Sequence, residues 1–226
     1  MMRSIIGVVL RPYEEVNKFC MNNNIRKMIN RLEGIPIGIT PSNYTTIYNQ
    51  NYESRNDVNE NMEDILKICD GIILQGGNDF YEYDKQVLSY CIKENVPVLG
   101  ICLGMQLMGS LYDNNLVRVS NHKLIENKKH NVNININSKF YSIINKTNIL
   151  VNSRHEEALF DSGIYDVAGM SDDGVIEAIE YNQNNFNIGL QWHIEDMNDD
   201  SSVKILEYFM KETLKYKVKK DFDKKI

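Results

Sequence analysis

The sequence has little of what would tie it to a membrane, a nucleic acid or an oxidising compartment. Its first apolar stretch, residues 5–10, is too short to span a bilayer or to form the core of a secretion signal. No basic stripe with interleaved aromatics occurs before the lysine-rich end, and a formal charge of −6 disfavours a phosphate backbone as partner. The four cysteines, Cys20, Cys69, Cys91 and Cys102, are widely spaced and form no CxxC pair. Neither a cysteine-based zinc site nor a disulfide framework is therefore expected. No internal repeat or linker composition divides the chain. These absences leave the expectation of a soluble, cytoplasmic protein that acts on a small molecule, with neither nucleic acid nor membrane as partner.

What is present is an alternation of strand and helix patterns. Residues 4–10 (SIIGVVL) form a continuous apolar run of strand length, the pattern of a strand buried on both faces. Ile25, Met28, Ile29 and Leu32 repeat at helical spacing, and 35–39 (IPIGI) returns to strand. A polar loop at 42–56 precedes a second helical pattern, Val58, Met62, Ile65, Leu66 and Cys69. A buried-type strand at 71–74 then opens into Gly76 and Gly77, and a helix at 83–94 leads to a strand beginning at Pro97. Four such alternations predict a doubly wound, mostly parallel α/β sheet flanked by helices, with ligands at the carboxyl ends of its strands. After Tyr112 the elements shorten. Segments 116–119, 132–136, 165–170 and 175–180 read as strands of a small antiparallel extension, 187–192 as a further strand, and 201–217 as a last helix capped by Ser201 or Ser202. The expected organisation is one domain over 1–217 followed by a solvated, lysine-rich tail at 218–226.

The chemistry centres on 96–106 (VPVLGICLGMQ). An apolar strand ends in Cys102 between Gly100 and Gly104, and helical composition follows. In such a strand-to-helix elbow the central residue is strained, and flanking glycines let strand and helix close on each other. The Cys102 sulfur would project at the carboxyl edge of the sheet, where helix N–H groups favour thiolate. His193 and Glu195 follow the strand 187–192 and reach that same edge, giving a base for the thiol and a carboxylate to hold the imidazole tautomer. His122 and His130 lie in polar loop sequence and are expected to face solvent.

Four segments, LQGGND at 74–79, GICLGMQ at 100–106, VNSRH at 151–155 and GLQWHIE at 189–195, occur in this order. Together they resemble the class I glutamine amidotransferase superfamily, with its flavodoxin-like fold, and within it the γ-glutamyl hydrolase branch that includes γ-glutamyl-γ-aminobutyrate hydrolases. The resemblance implies Cys102 as nucleophile, His193 as base and Glu195 as its orienting carboxylate. It implies the backbone N–H groups of Gly77 and Leu103 as oxyanion donors, and Gly76, Gln106, Asn152, Ser153 and His155 as substrate-binding residues. No metal or other cofactor is implied. The chain departs from the family pattern at Ile194, where proline is usual, and at Glu156 and Glu157, where the histidine-bearing segment usually continues with His-Gln or Gly-Gln. The acidic pair suggests a positively charged leaving amine.

The activity this implies is cysteine-dependent hydrolysis of a γ-glutamyl amide through a γ-glutamyl thioester. Two other classes stay open: a glutaminase subunit that passes ammonia to a synthetase partner, and an inactive binding member of the same fold. The leaving amine and the oligomeric state, a homodimer included, are left open by the sequence.

Overall fold

The structure, a computed structural model, describes residues 2–13, 17–41, 62–123, 128–184 and 186–223. The polar loop expected at 42–56, Val58 of the second helical pattern and the last three residues of the tail lie outside them.

In chain order the elements are β1 (Ile5–Val9), β2 (Arg11–Tyr13), β3 (Lys18–Cys20), α1 (Asn23–Arg31), β4 (Ile35–Ile39), α2 (Met62–Ile68), β5 (Gly71–Leu74), α3 (Glu82–Glu94), β6 (Val98–Ile101) and α4 (Leu103–Gly109). There follow β7 (Leu116–Arg118), β8 (Lys129–Ile134), α5 (Lys139–Ile144), β9 (Asn148–Asn152), β10 (Glu157–Leu159), β11 (Asp166–Ser171), β12 (Ile176–Glu180) and β13 (Asn187–Leu190). A short 3₁₀ turn (Ile194–Asp196) then precedes α6 (Asp200–Asp223).

Nine of these strands form one sheet in the order β4-β1-β5-β6-β13-β12-β11-β8-β9. The first five are parallel and the rest antiparallel. Numbered among themselves, the parallel strands run 2-1-3-4-5, the flavodoxin-like order. The expected doubly wound sheet with an antiparallel extension is therefore what the chain builds. Two small ribbons, β2 with β3 and β7 with β10, sit outside it.

Strand alternation sends successive residues to opposite faces. Ile6, Val8, Ile73, Leu99 and Ile101 join a core with Ile25 and Ile29 of α1 and Ile205 and Phe209 of α6. Val9, Ile72, Leu74 and Val98 join the other, with Leu66 of α2, Leu88 of α3 and Met105 of α4. Each such side chain contributes about 1.5–3 kcal/mol by leaving water. This two-sided burial is why the parallel strands read as continuous apolar runs.

The end of the chain differs from expectation in two ways. The cap of α6 is Asp199, whose carboxylate accepts from the backbone N–H groups of Ser201 and Ser202, both at 3.1 Å. Residues 218–223, expected as a solvated tail, continue the helix. Lys217 and Lys220 fasten it to the buried Asp70 at 3.0 and 2.7 Å, and Lys220 also donates to the Cys69 carbonyl at 2.8 Å beyond the end of α2. Long-range ion pairs of this kind have no local signal in a lysine-rich stretch. Among the described residues no helix is long and apolar enough to cross a membrane.

Candidate active site

Cys102 stands between β6 and α4 with φ 53° and ψ −108°, a conformation that L-residues rarely adopt and that costs roughly 1–3 kcal/mol. The surrounding backbone enforces it. The Cys102 N–H donates to the Leu190 carbonyl at 2.8 Å, and its own carbonyl accepts from Gln106 at 3.1 Å. A Cβ on Gly104 would come 2.1 Å from the Leu74 carbonyl oxygen, and one on Gly100 would come 2.3 Å from Met108 Sδ. Glycine at both positions is what lets α4 lie directly on the sheet.

His193 is delivered by β13. Its Nδ1–H donates to Glu195 Oε1 at 2.9 Å, and that oxygen also accepts from Asn22 Nδ2 at 3.2 Å. The imidazole hydrogen-bonds Cys102 as well. Gly76 lies against the pair: a Cβ there would be 3.3 Å from His193 Cε1 and 3.6 Å from Cys102 Cβ. Burial opposes a charge on His193, but the hydrogen bonds and negative charge of Cys102 and Glu195 outweigh it and push its pKa up to about 10. The result is an imidazolium at neutral pH, hydrogen-bonded to the Cys102 sulfur.

The loop bearing His193 is rigid without the usual proline. Ile194 is fully buried, Trp192 packs edge-on against Phe140, and the Asn152 side chain grips the His193 backbone twice. Asn152 Nδ2 donates to the His193 carbonyl and Oδ1 accepts from the His193 N–H, each at 2.9 Å.

The end of β5 is braced from below. Gln75 is buried and donates to the carbonyls of Val9 and Cys20 at 2.8 and 2.9 Å. The Arg11 guanidinium donates to the Gln75 carbonyl at 3.0 Å and to Asp84 at 2.5 Å. Gly77 rests on this guanidinium, since a Cβ on it would meet Arg11 Cδ at 3.1 Å.

A cavity of about 610 Å³ opens over these groups, lined by Gly77, Asn78, Cys102, Leu103 and Gln106. Residues 118, 119, 123 and 154–157 complete its lining. A larger, more open groove along α6, lined by Leu214, Val218 and Phe222, holds none of this chemistry. The structure thus brings together Cys102, His193, Glu195, Gly76, Gly77, Leu103, Gln106 and His155.

Four residues expected to bind substrate have side chains engaged within the protein: Gln106 Nε2 donates to the Glu157 carbonyl at 2.7 Å and to Gln191 Oε1 at 3.1 Å, and His155 lies between the Glu157 carbonyl and Glu177. The amide of Asn152 is spent on His193, and Ser153 Oγ is buried and donates to the His122 carbonyl at 2.5 Å. The acidic pair also falls short of a cation site. Glu156 is held by Lys123 at 2.9 Å, which lowers its pKa, and the cavity wall carries Arg118, Lys123 and Arg154.

His122 and His130 do not face solvent. His122 is 3% exposed and packs against both His130 and His155, around the fully buried Glu177. Their polar sequence neighbours concealed this, because the contacts come from strands far apart in the chain. Asn22, Arg11 and Asp84 were missed for the same reason, although the position of Arg11 at the end of β1, on the ligand edge, is a usable signal.

The family model described as Peptidase C26 matches residues 81–195. A γ-glutamyl-CDP-amidate hydrolase of Campylobacter jejuni is 31% identical over 150 residues, covering 60% of this chain and 67% of that protein. A protein of Rickettsia prowazekii named as glutamine amidotransferase-like is 24% identical over 212 residues, covering 62% and 75%. The glutaminase domain of the Trypanosoma brucei CTPS, solved with bound acivicin, superposes with a TM-score of 0.70 at 15% identity, covering 94% of each chain.

Proposed function

The chain belongs to the Peptidase C26 family, and from that premise we propose that it hydrolyses a γ-glutamyl amide whose leaving group is anionic. The observation that carries this reading is the Cys102–His193–Glu195 constellation, with Cys102 on a strained elbow that lines the cavity.

The Cys102 thiolate attacks the γ-carbonyl, and the backbone N–H groups of Gly77 and Leu103 receive the oxyanion. One such donor is worth about 3–4 kcal/mol of barrier. His193, already an imidazolium, gives its proton to the departing nitrogen as the C–N bond breaks, leaving a γ-glutamyl thioester. Neutral His193 then takes a proton from water, which attacks the thioester and releases glutamate and the thiolate.

On the cavity wall Arg118, Lys123 and Arg154 outnumber Glu156 and Glu157, with Lys123 paired to Glu156 and Arg154 to Asp196, and this net positive balance supports an anionic rather than a cationic leaving group. The name of the Campylobacter relative, a γ-glutamyl-CDP-amidate hydrolase, agrees with that sign of charge. The substrate class is a γ-glutamyl phosphoramidate.

Glutamate release from purified full-length chain tests this, with a γ-glutamyl phosphoramidate and γ-glutamyl-γ-aminobutyrate compared and diazo-oxo-norleucine as active-site label. The expected result is one covalent adduct that requires Cys102 and a higher kcat/KM for the phosphoramidate. An adduct without hydrolysis of either compound would favour a partner-dependent glutaminase. No adduct would favour a binding protein.

A further inference from the structure

We propose that His122, His130 and Glu177 hold a divalent transition-metal ion of the zinc type, which fastens one wall of the active-site cavity. The inference does not depend on the substrate reading above.

Four segments meet there: the loop after β7, strand β8, the connection from β9 to β10, and strand β12. From Glu177 Oε1, His122 Nδ1 lies at 3.2 Å, His130 Nε2 at 3.5 Å and His155 Nε2 at 3.6 Å. Ligand atoms at the corners of a tetrahedron around zinc, with bonds of about 2.0–2.1 Å, stand roughly 3.3–3.4 Å apart. The ligand atoms of His122, His130 and Glu177 all lie within 4.8 Å of one another, and His155 borders the group.

The same atoms lack other work. His122 Nδ1, His130 Nε2, His155 Nε2 and both Glu177 oxygens are buried without a hydrogen-bond partner. A carboxylate fully out of water needs positive charge beside it, which the imidazoles facing it at 3.2–3.6 Å supply when one is protonated and a metal ion supplies when they are neutral.

The outer nitrogens are arranged as they are around bound metals. His122 Nε2 faces the Asp173 carboxylate at 3.2 and 3.3 Å, and His155 Nδ1 faces the Glu157 carbonyl at 2.9 Å. Each partner holds the N–H outward and turns the other nitrogen's lone pair inward. Ser171 Oγ in turn fixes Asp173 at 2.5 Å. Two imidazoles and one carboxylate suit zinc or cobalt and are a poor set for calcium or magnesium, which take oxygen ligands. Three protein ligands leave a fourth position, which His155 borders. The consequence for the active site is positional: Lys123 follows His122, Arg154 and Glu156 flank the His155 that packs on His122, and all three line the cavity.

The test uses the full chain produced with zinc supplied and stripped of loose metal by gel filtration, and reads metal content by mass spectrometry. One equivalent per chain is expected, with the visible band of tetrahedral cobalt after exchange with Co²⁺. His130→Ala and Glu177→Gln should lose the ion, whereas His193→Ala should keep it. That contrast excludes His193, Glu195 and Asp196, the other grouping among the described residues that could hold a metal. Should the ligand variants fail to fold, wild type decides alone: a chelator lowers its Tm by several degrees and zinc restores it. Wild-type chain that takes up no zinc or cobalt, or an ion that leaves with His193→Ala, would overturn the proposal.

Discussion

The parallel and antiparallel halves of the sheet both gather polar chemistry, but they do it over very different sequence distances. In the parallel half the proposed nucleophile, its strain and its glycine clearances all lie within 100–104, because one strand-to-helix elbow supplies them. In the antiparallel half His122, His130, His155 and Glu177 meet only after β8, β9, β11 and β12 have paired. The first arrangement is a motif; the second is a product of topology. The proposed nucleophile sits where the backbone itself is strained, and the proposed metal ligands sit where strands from distant parts of the chain converge.

The largest expected effect lies wholly in the first half. Cys102→Ala should lower kcat on the order of 10⁶-fold, since removal of a nucleophile dismantles the covalent route. Tm should stay near the wild-type value and, if the proposed ion is present, metal content should not change. Retained hydrolysis would place the chemistry elsewhere.

Glu195→Gln should cost roughly 10²–10⁴-fold in kcat/KM, by loosening the imidazole tautomer and removing its countercharge. The pH profile carries the sign. Glu195 is one of the groups that push the His193 pKa up to about 10. Without its charge that pKa falls, so the alkaline limb of kcat/KM, where the imidazolium loses its proton, should move to lower pH. An unmoved limb would mean that His193 does not donate the proton.

A pair of glycine substitutions sharpens the contrast in backbone terms. Gly104→Ala drives a methyl group into the Leu74 carbonyl and should destabilise by about 3 kcal/mol in urea unfolding. Gly174→Ala, in the turn between β11 and β12, meets nothing within 4 Å and should cost only the strain of its φ of +86°, about 1 kcal/mol. Equal costs would show that the elbow is no tighter than an ordinary turn.

This difference also explains what could be read from the chain. The parallel strands were legible because β1, β5 and β6 are buried on both faces and so appear as uninterrupted apolar runs. Cys102, His193 and Glu195 were legible because strand ends in such a sheet share one edge. The histidine cluster was not, since His130 stands in KHNVNI, whose alternation declares a strand but not its neighbours. The lysines of α6 were not, because Asp70, which fixes them, is about 150 residues away. Ser153 looked like a binding residue because its segment carries the family pattern, yet its side chain serves the His122 backbone.

Asn152 is where the two halves touch. It lies at the end of β9, the outermost antiparallel strand, and yet both of its amide atoms hold the backbone of His193 beyond the last parallel strand. If it bound substrate, Asn152→Ala would raise KM. If it positions the base, the loss appears in kcat with KM unchanged, because the ground-state contacts survive while the proton transfer is misaligned. Two hydrogen bonds to a well-anchored loop, each worth about 1 kcal/mol net, set the expected fall at roughly tenfold. Asn152→Asp supplies the control: it keeps the acceptor for the His193 N–H but loses the donor to the carbonyl, so activity should lie between alanine and wild type. A rise in KM alone in both variants would return Asn152 to the substrate and sever the link between the antiparallel wall and the catalytic edge.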